Sequence, residues 1–530
     1  MLLVYVLIAA ASYLTFKIIQ WTNFEKKFKQ KTSSFPQLQP HHWFNKNYSY
    51  HKRCMFDHPE HYVAQRLAYA KQHPLGYVEE MHPITKMSPW INVFDPVAVK
   101  AILTARYTSA PKYQRVMEPL MIGFKPYSIF FCNGDMWKNH RHVLNAQFNQ
   151  QLLKSYMPIV NSCVRTMTEK WQGYVENSES SKNSKNSKNS QNNISGTVNI
   201  HKDFMLLTLD VLLQTLMSYE SNCQISDDDR FVYSVQEWLK SWHLRMDSPF
   251  GLSDILFYYV SPSGRKCVAA AKFMYDCAFE RVHARQKLYK VDPDYQNSKE
   301  RLDIIDILVA GTKENGEPFS YDEIIMETII FMVAGFETTA NTLSWCLHHL
   351  ASNQECLGKL QAEVDGFTNE EITHDKLNEL PYIDAVLKET LRHSPIGQRI
   401  FSRVLDRDIK LSDGRVLPSD VPIHINILEL HRNEERWPDP DKFDPSRFLK
   451  CENGKTIENH PKIDPFSYIP FSAGARNCIG RHFAMQEMKV SLVYILKQFE
   501  ILPDETPSIP TIRITYRPLD GIYVKLRLRE

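Results

Sequence analysis

Paired cysteines are missing from this sequence. Ten cysteines are scattered through 530 residues without a single Cys-x-x-Cys, which excludes a zinc ribbon and a redox-active dithiol. His-Glu-x-x-His and Cys-x-x-Cys-His are also absent, so neither a zincin site nor covalent c-type attachment is encoded. No glycine fingerprint for a flavin or nicotinamide nucleotide occurs. An excess of one charge is lacking too: 63 Lys and Arg against 61 Asp and Glu leave a net charge of +2. Nothing therefore supports a nucleic-acid partner. In a chain of this length, scattered cysteines are small buried side chains in a reducing compartment.

Against these absences stands one long hydrophobic run. Residues 2–21 carry Lys17 as their only charge, and as a helix they are long enough to cross a bilayer core. The pattern predicts a transmembrane anchor over residues 1–22 and a basic, proline-containing linker over 23–45. A catalytic-sized domain over 46–530 comes next. Lys26, Lys27, Lys29 and Lys31 flank the run on its C-terminal side and place the domain on the cytosolic side. A cleaved signal peptide is the alternative, but no charged segment precedes the run and no Ala-x-Ala site stands out. The sequons at Asn47 and Asn193 could be used only by a luminal domain.

Further along, apolar and polar residues alternate from Trp90 to Phe94, which predicts a strand. Asp95-Pro96 then supplies an N-cap and a first-turn proline for a helix through Leu103. Helical patterns dominate from residue 136 to about 395. Residues 177–195, with Lys-Asn-Ser three times over, read as a polar, disordered insertion between two helices. Residues 514–527 hold a Pro-Leu-Asp-Gly turn followed by alternating Ile522, Val524 and Leu526, which predicts a hairpin. The fold class expected is mainly α with a smaller β portion.

The chemistry is concentrated in Pro470-Phe-Ser-Ala-Gly-Ala-Arg-Asn-Cys-Ile-Gly480. A cysteine between glycines, beside an arginine and just before a helix, has what a thiolate needs: positive partners and backbone donors. Gly474 permits a sharp turn, and Gly480 permits close approach of the backbone to sulfur. Phe471, Gly474, Arg476, Cys478 and Gly480 match Phe-x-x-Gly-x-Arg-x-Cys-x-Gly, and the chain resembles the cytochrome P450 superfamily of the microsomal type. The resemblance implies a triangular, helix-rich domain holding haem b, with Cys478 as axial ligand of the iron.

Other stretches carry the same resemblance. Ser320-Tyr-Asp-Glu323 is a capping box opening an apolar helix to about Ala351. Inside it, Ala334-Gly-Phe-Glu-Thr-Thr339 breaks helix propensity. It resembles the family's oxygen-binding helix, with Glu337 and Thr338 as the acid and alcohol that deliver protons. Glu389-x-x-Arg392, joined by Arg447 from Phe443-Asp-Pro-Ser-Arg-Phe448, resembles the family's fold-holding ion cluster. Trp137-x-x-x-Arg141 puts an indole N–H and a guanidinium on one helix face. With Arg403, they match positions that hold the haem propionates in the family.

The function implied is that of a monooxygenase inserting one atom of dioxygen into a lipophilic substrate. The alternative is a haem-thiolate isomerase or dehydratase acting on a peroxide. Relatives of that kind alter the acid, the threonine or the thiolate loop, which are intact here. Without a flavin or nicotinamide site of its own, the chain needs an NADPH-cytochrome reductase, with cytochrome b5 a second candidate donor. Lys138 and Arg481 are candidates to face it. The family implies a single-pass endoplasmic reticulum membrane protein. Residues 248–260 are apolar enough to touch the bilayer again. His431-Arg-Asn, Trp437-Pro-Asp-Pro and the cysteine loop resemble the fatty-acid ω-hydroxylase branch. The position at which that branch carries a haem-esterifying glutamate is Ala334, so no covalent haem link is expected. Sterol and xenobiotic substrates stay open.

Overall fold

The computed structural model describes residues 31–38 and 59–529, apart from 80–89, 106–110, 113–120, 122–123, 184–195, 248–254, 293, 367–371, 450, 453–454, 457–462 and 513. Before residue 31 it describes only Ser12, Thr15, Lys26, Lys27 and Gln30. The expected anchor, both sequons and residues 248–254 thus lie outside the described residues, the anchor apart from Ser12 and Thr15. Among the described residues no helix is long and apolar enough to cross a membrane.

Helices of seven or more residues are labelled in chain order. They are α1 (Pro59–Gln72), α2 (Pro96–Thr104), α3 (Gly134–Asn145), α4 (Met157–Asn183), α5 (Ile200–Met217) and α6 (Arg230–Asp247). After them come α7 (Pro262–Val291), α8 (Ile304–Ala310), α9 (Tyr321–Ser352), α10 (Gln354–Asp365), α11 (Pro381–His393) and α12 (Arg481–Gln498). The strands are β1 (Gln37–Leu38), β2 (Gly76–Glu79), β3 (Trp90–Val93), β4 (Gly196–Asn199), β5 (Arg399–Val404), β6 (Ile409–Lys410) and β7 (Val416–Leu417). They continue with β8 (Pro422–Asn426), β9 (Cys451–Glu452), β10 (Lys455–Thr456), β11 (Phe499–Pro503), β12 (Pro510–Ile512), β13 (Tyr516–Pro518) and β14 (Tyr523–Leu528).

The largest sheet runs β1-β2-β3-β8-β5, with β3 and β8 parallel and both wholly buried. Burial on both faces removes the polar alternation expected of β3. Asn92 is accepted inside because its Oδ1 takes hydrogen bonds from Trp90 Nε1 and Asn426 Nδ2, each at 3.0 Å. Asp95 caps α2 as its sequence predicts, accepting from Val97 N at 3.2 Å, with Pro96 in the first turn. The apolar interior divides into a large cluster among the helices and a smaller one around the sheet. The cysteine loop lies on the seam: Ala473 packs against the sheet cluster and Ile479 against the helical one.

Helix α9 crosses the helical half. Ser320 and Glu323 form both bonds of the predicted capping box. The helix packs against α5, α7, α11 and α12, so it is buried nearly all round, as its continuous apolarity requires. In its middle, Ala334 is exposed and Gly335 and Thr338 are half-buried.

Three expectations are corrected. The tail is no simple hairpin: β13 pairs with β12, whereas β14 pairs with β11 and β4. A turn's own chemistry reverses the chain without choosing the partner strand. Residues 35–38 are not linker, because Phe35 is buried and Gln37–Leu38 add to β2 as parallel β1. The polar tract begins inside a helix, since α4 continues to Asn183. The rest of it, 184–195, lies outside the described residues.

Candidate active site

The cysteine loop is shaped by two residues of positive φ. Ser472 has φ 60° and Gly474 φ 70°. A Cβ on Gly474 would also stand 1.8 Å from the carbonyl oxygen of Leu103 at the end of α2. Only glycine meets both demands. The Cys478 N–H donates to Phe471 O at 2.9 Å, closing the loop. Gly480 differs from expectation: its φ is −86° and the nearest atom to an added Cβ is 3.9 Å away. Its contribution is the backbone N–H that points at Cys478 at the start of α12.

Among the eight cysteines whose side chains are described, only Cys478 is exposed. The residue is exposed, yet its thiol lies deep among neighbouring groups. Burial pushes its thiol pKa up, against the pull of the Gly480 N–H and of the Arg141 and Arg481 charges. Arg141, on α3, donates to Asn477 O at 2.8 Å and Asn477 Oδ1 at 2.7 Å. It thus clamps the residue before the cysteine. Trp137, one turn earlier, is buried with the Arg476 guanidinium 4.4 Å from its ring centroid.

Cations gather beside this loop without matching acids among the described residues. Arg476 donates to Cys132 O at 3.0 Å and to Asn133 Oδ1 at 2.9 Å, leaving its Nε with no hydrogen-bond partner among the described residues. Arg403, buried on β5, likewise leaves Nη1 without a partner among the described residues. Lys112 pairs with Arg403 through an isolated β-bridge, and its ammonium reaches Phe130 O. Burial, with the charge of Arg476, brings the Arg403 pKa down to about 9; burial brings Arg476 to about 10. Lys112 is driven well below its usual value by burial and by both arginines. Neither Lys112 nor Asn133 stands out in the sequence, since neither belongs to a motif.

Behind the loop, Glu389 and Arg392 are fully buried and joined twice, at 2.7 and 2.8 Å. Arg392 also donates to the carbonyls of His431, Pro440 and Lys442 at 3.0, 2.9 and 3.1 Å. Arg447 Nε lies 3.6 Å from Glu389 Oε1. The three residues named from the sequence therefore meet.

On α9, Thr338 Oγ1 donates back to Ala334 O at 2.9 Å, and Thr339 to Gly335 O at 3.2 Å. A Cβ on Gly335 would meet Leu212 of α5 at 2.2 Å, and Thr208 of α5 donates to Phe336 O at 3.0 Å. Glu337 turns away from the Ala334–Thr338 face and is buried, accepting from Thr515 Oγ1 at 2.9 Å. Phe148 bridges the two motifs, stacking on Phe331 at 6.0 Å and lying 3.9 Å from the Gly480 site.

Residues 82–524 match the family model for cytochrome P450. The chain belongs to that family. Cytochrome P450 4F8 of Homo sapiens is 30% identical over 98% of this chain and 95% of its own. The taurochenodeoxycholic 6 alpha-hydroxylase of Sus scrofa is 31% identical over 82% of this chain and 81% of its own. A crystal structure of a cytochrome P450 named CYP102L1 superposes with a TM-score of 0.73 at 21% identity, covering 88% of this chain and 98% of that one. The cytochrome P450DA haem domain gives the same score over 94% and 98%. This P450 is a monooxygenase with a haem b cofactor. The site fits that group: Cys478, exposed where the other cysteines with described side chains are not, could supply the thiolate, and the Arg403 and Arg476 N–H groups without a partner among the described residues suit its two carboxylates.

Proposed function

We propose that this P450 hydroxylates a lipophilic substrate at the membrane surface, with electrons from an NADPH-cytochrome reductase. The observation that carries the reading is the accessible Cys478 in its arginine-flanked loop, together with the Arg403 and Arg476 N–H groups beside it that have no partner among the described residues. When bound, haem b supplies dioxygen activation, so that one oxygen atom enters the substrate and the other leaves as water.

The chain's residues divide the remaining work. Cys478 ligates the iron, and the Gly480 N–H, Arg141 and Arg481 stabilise its negative charge. Phe471 fixes the loop through its carbonyl, and Gly474 permits the turn. Arg403 and Arg476, with Lys112, neutralise the haem carboxylates, and Trp137 packs on Arg476. Thr338 presents its hydroxyl from the accessible face of α9, and Glu337 serves it as the acid. Glu389, Arg392 and Arg447 hold the polypeptide behind the loop.

Two observations support the substrate and membrane side. The relatives include an enzyme whose name specifies hydroxylation of a bile salt, and the loop sequence resembles the fatty-acid branch. Ile255 and Tyr259, in and beside the π-helical turn Leu256–Val260, are each 69% exposed, which suits an interfacial contact. Residues 1–22 provide the anchor, and the domain faces the cytosol at the endoplasmic reticulum. For the reductase, Arg481 is an exposed charge on the cysteine side, whereas Lys138 is engaged by Glu314 at 2.7 Å.

The test is the spectrum of the reduced protein with carbon monoxide. A Soret band at the long-wavelength thiolate position, lost in Cys478→Ser, is expected. A band at the imidazole-like position in the unaltered enzyme would overturn the assignment of Cys478.

A further inference from the structure

A recess lies on the outside of the protein, on the seam where α6 packs along α7. On α7, Lys266, Ala269, Ala270 and Phe273 recur at three- and four-residue spacing and share one helix face. On α6, Arg230, Tyr233 and Ser234 do the same. These two stripes, with Asp229, line an open cavity of about 420 Å³, within the size range of small-molecule sites. Ala269 and Ala270 leave the α7 side shallow, while Tyr233, 53% exposed, and half-buried Phe273 supply aromatic surface. The inner face of α6 is committed elsewhere: Phe231 lies edge-on to Phe336 of α9 at 6.1 Å. The cavity is therefore separate from the face of α6 that looks towards α9.

An aromatic lining does not select a ligand, but the charges around it do. Arg230 is neutralised by Asp228, whose carboxylate it meets at 2.6, 2.9 and 3.0 Å. The Ser234 hydroxyl donates to Arg230 O at 2.8 Å, so neither side chain is left to bind a charged ligand. Lys266 differs. It is exposed and has no acid partner among the described residues, Asp229 of the same cavity included. The neighbouring Arg265 also lacks an acid among the described residues, and its Nη1 donates to Val260 O at 2.7 Å. That bond ties the start of α7 to the π-helical turn Leu256–Val260. The join is tight: Ser261 Oγ accepts from Gly264 N at 3.0 Å, and a Cβ on Gly264 would stand 1.7 Å from Phe257 O. The cationic end of the cavity thus opens beside the turn read as the interfacial contact, where lipophilic anions partition. From Lys266 to Phe273 the stripe runs about 10 Å, at 1.5 Å per residue.

We propose that the α6–α7 cavity is a binding site for a lipophilic carboxylate, distinct from the site at Cys478. The carboxylate pairs with Lys266, and the apolar chain or ring system lies between Tyr233 and Phe273 over the two alanines. One open ammonium suits a monoanion. A free phosphate, with more charge and no apolar body, would leave the aromatic surface unused, and a neutral lipophile would leave Lys266 unpaired. An ion pair at an exposed lysine is weak by itself, so recognition needs the charge and the apolar contact together. The assignment does not depend on which substrate the haem site oxidises. Only the supply of the ligand from the bilayer rests on the interfacial reading of Leu256–Val260.

The test uses the full-length holoenzyme in nanodiscs of neutral phosphatidylcholine, with the haem site closed by a bulky azole whose ligation is read from the Soret band. Dodecanoate carrying a diazirine at its ω end is photolysed, and the labelled peptides are mapped by mass spectrometry. Label is expected on the α6 and α7 peptides around Tyr233 and Phe273, and unlabelled dodecanoate should compete it away. Lys266→Glu should cut that label by about fivefold, and Lys266→Gln by less. Ala269→Trp, which fills the cavity, should abolish it, whereas Lys287→Glu, elsewhere on α7, should leave it unchanged. Label confined to Leu256–Val260 overturns the inference, as does cavity label that survives both Lys266→Glu and Ala269→Trp. Equal labelling by the matching diazirine alcohol removes the carboxylate from the account and overturns it too. Preferential labelling by a diazirine-bearing phosphatidylserine overturns it in favour of a lipid-headgroup contact. The azole band checks the fold of each variant. Should Ala269→Trp lose it, Lys266→Glu and Lys266→Gln decide the matter.

Discussion

Nδ1 of His140 lies 2.5 Å from Oε1 of Glu327, so a buried imidazole of α3 is clasped by a carboxylate of α9. Glu323, one turn earlier on α9, reaches the other ring nitrogen at 3.2 Å. Helix α3 carries Trp137 and Arg141, and α9 carries Glu337 and Thr338, so the clasp joins the two helices that face the cysteine loop. Burial alone would lower the His140 pKa, but the bonds and charges of Glu327 and Glu323 outweigh it, and the net direction is up. Burial also pushes Glu327 up, while Glu323 is held down at about 2 against burial, by the Ser320 N–H at 2.7 Å and hydroxyl first and then by Lys313 at 2.9 Å. Glu323 is therefore held as the anion, and the two carboxylates together favour the protonated imidazole.

A histidine whose folded pKa is raised contributes stability that is complete below its unfolded value of about 6.5, and that is lost as pH rises through the folded value. His140→Gln should therefore lower the melting temperature more at pH 6 than at pH 9. Breaking a buried pair of this kind costs about 3–5 kcal/mol. Melting curves of the two proteins across that range check it; a constant gap would mean that the His140 pKa is not raised in the folded protein.

The buried ion cluster behind the loop makes a sharper demand. Arg392 serves one carboxylate at two points and three carbonyls besides. Lysine cannot reproduce that planar set of donors. Arg392→Lys should therefore destabilise nearly as much as Arg392→Ala, by about 3–5 kcal/mol, and both should accumulate with little haem. Haem content per chain and thermal melting measure this. A lysine variant with normal melting and full haem would show that the charge alone suffices.

Legibility in the sequence depends on the distance over which a contact is specified. The cysteine loop can be read because Phe471, Gly474, Arg476, Cys478 and Gly480 act within ten residues, and their spacing carries the geometry. The capping box at Ser320 is legible for the same reason. Arg517 is not, because its partners Glu337 and Glu237 belong to other helices and nothing local marks it. The tail misleads in a related way. Pro518 to Gly521 turns the chain as its residues dictate, but Phe499–Pro503 and Gly196–Asn199 take β14 as partner because they bury Val524 and Leu526. The polar tract reads as disorder from its first residue, yet a polar sequence can extend the end of a long helix as well as a loop.

The two glycines flanking Cys478 should behave differently, although the motif treats them alike. Gly474→Ala places a Cβ 1.8 Å from a backbone oxygen at a φ of 70°. Left-handed backbone for a residue with a Cβ costs about 1–2 kcal/mol before any clash, and the clash involves backbone that cannot rotate aside. Gly480→Ala meets nothing closer than 3.9 Å at an ordinary φ. Melting of the haem-free proteins should show a large loss for Gly474→Ala and a change within about 1 kcal/mol for Gly480→Ala. Equal losses would refute the distinction.

Glu487 presents the reverse of a stabilising charge. It is buried on α12, and neither carboxylate oxygen has a hydrogen-bond partner among the described residues. Burial raises its pKa well above the usual value, so the fold favours its neutral form. The unfolded chain ionises near pH 4.3. Below that pH both states are protonated and the group is neutral in its effect. As pH rises above it, only the unfolded state gains by ionising, so stability falls until the folded pKa is passed. Glu487→Gln keeps the shape of the protonated acid and removes the titration. It should stabilise the protein at pH 7 by at least about 1 kcal/mol, one pKa unit being worth that much, and leave it unchanged at pH 4. Melting at the two pH values decides it. Destabilisation at pH 7 would mean that the carboxylate is ionised and held by a partner.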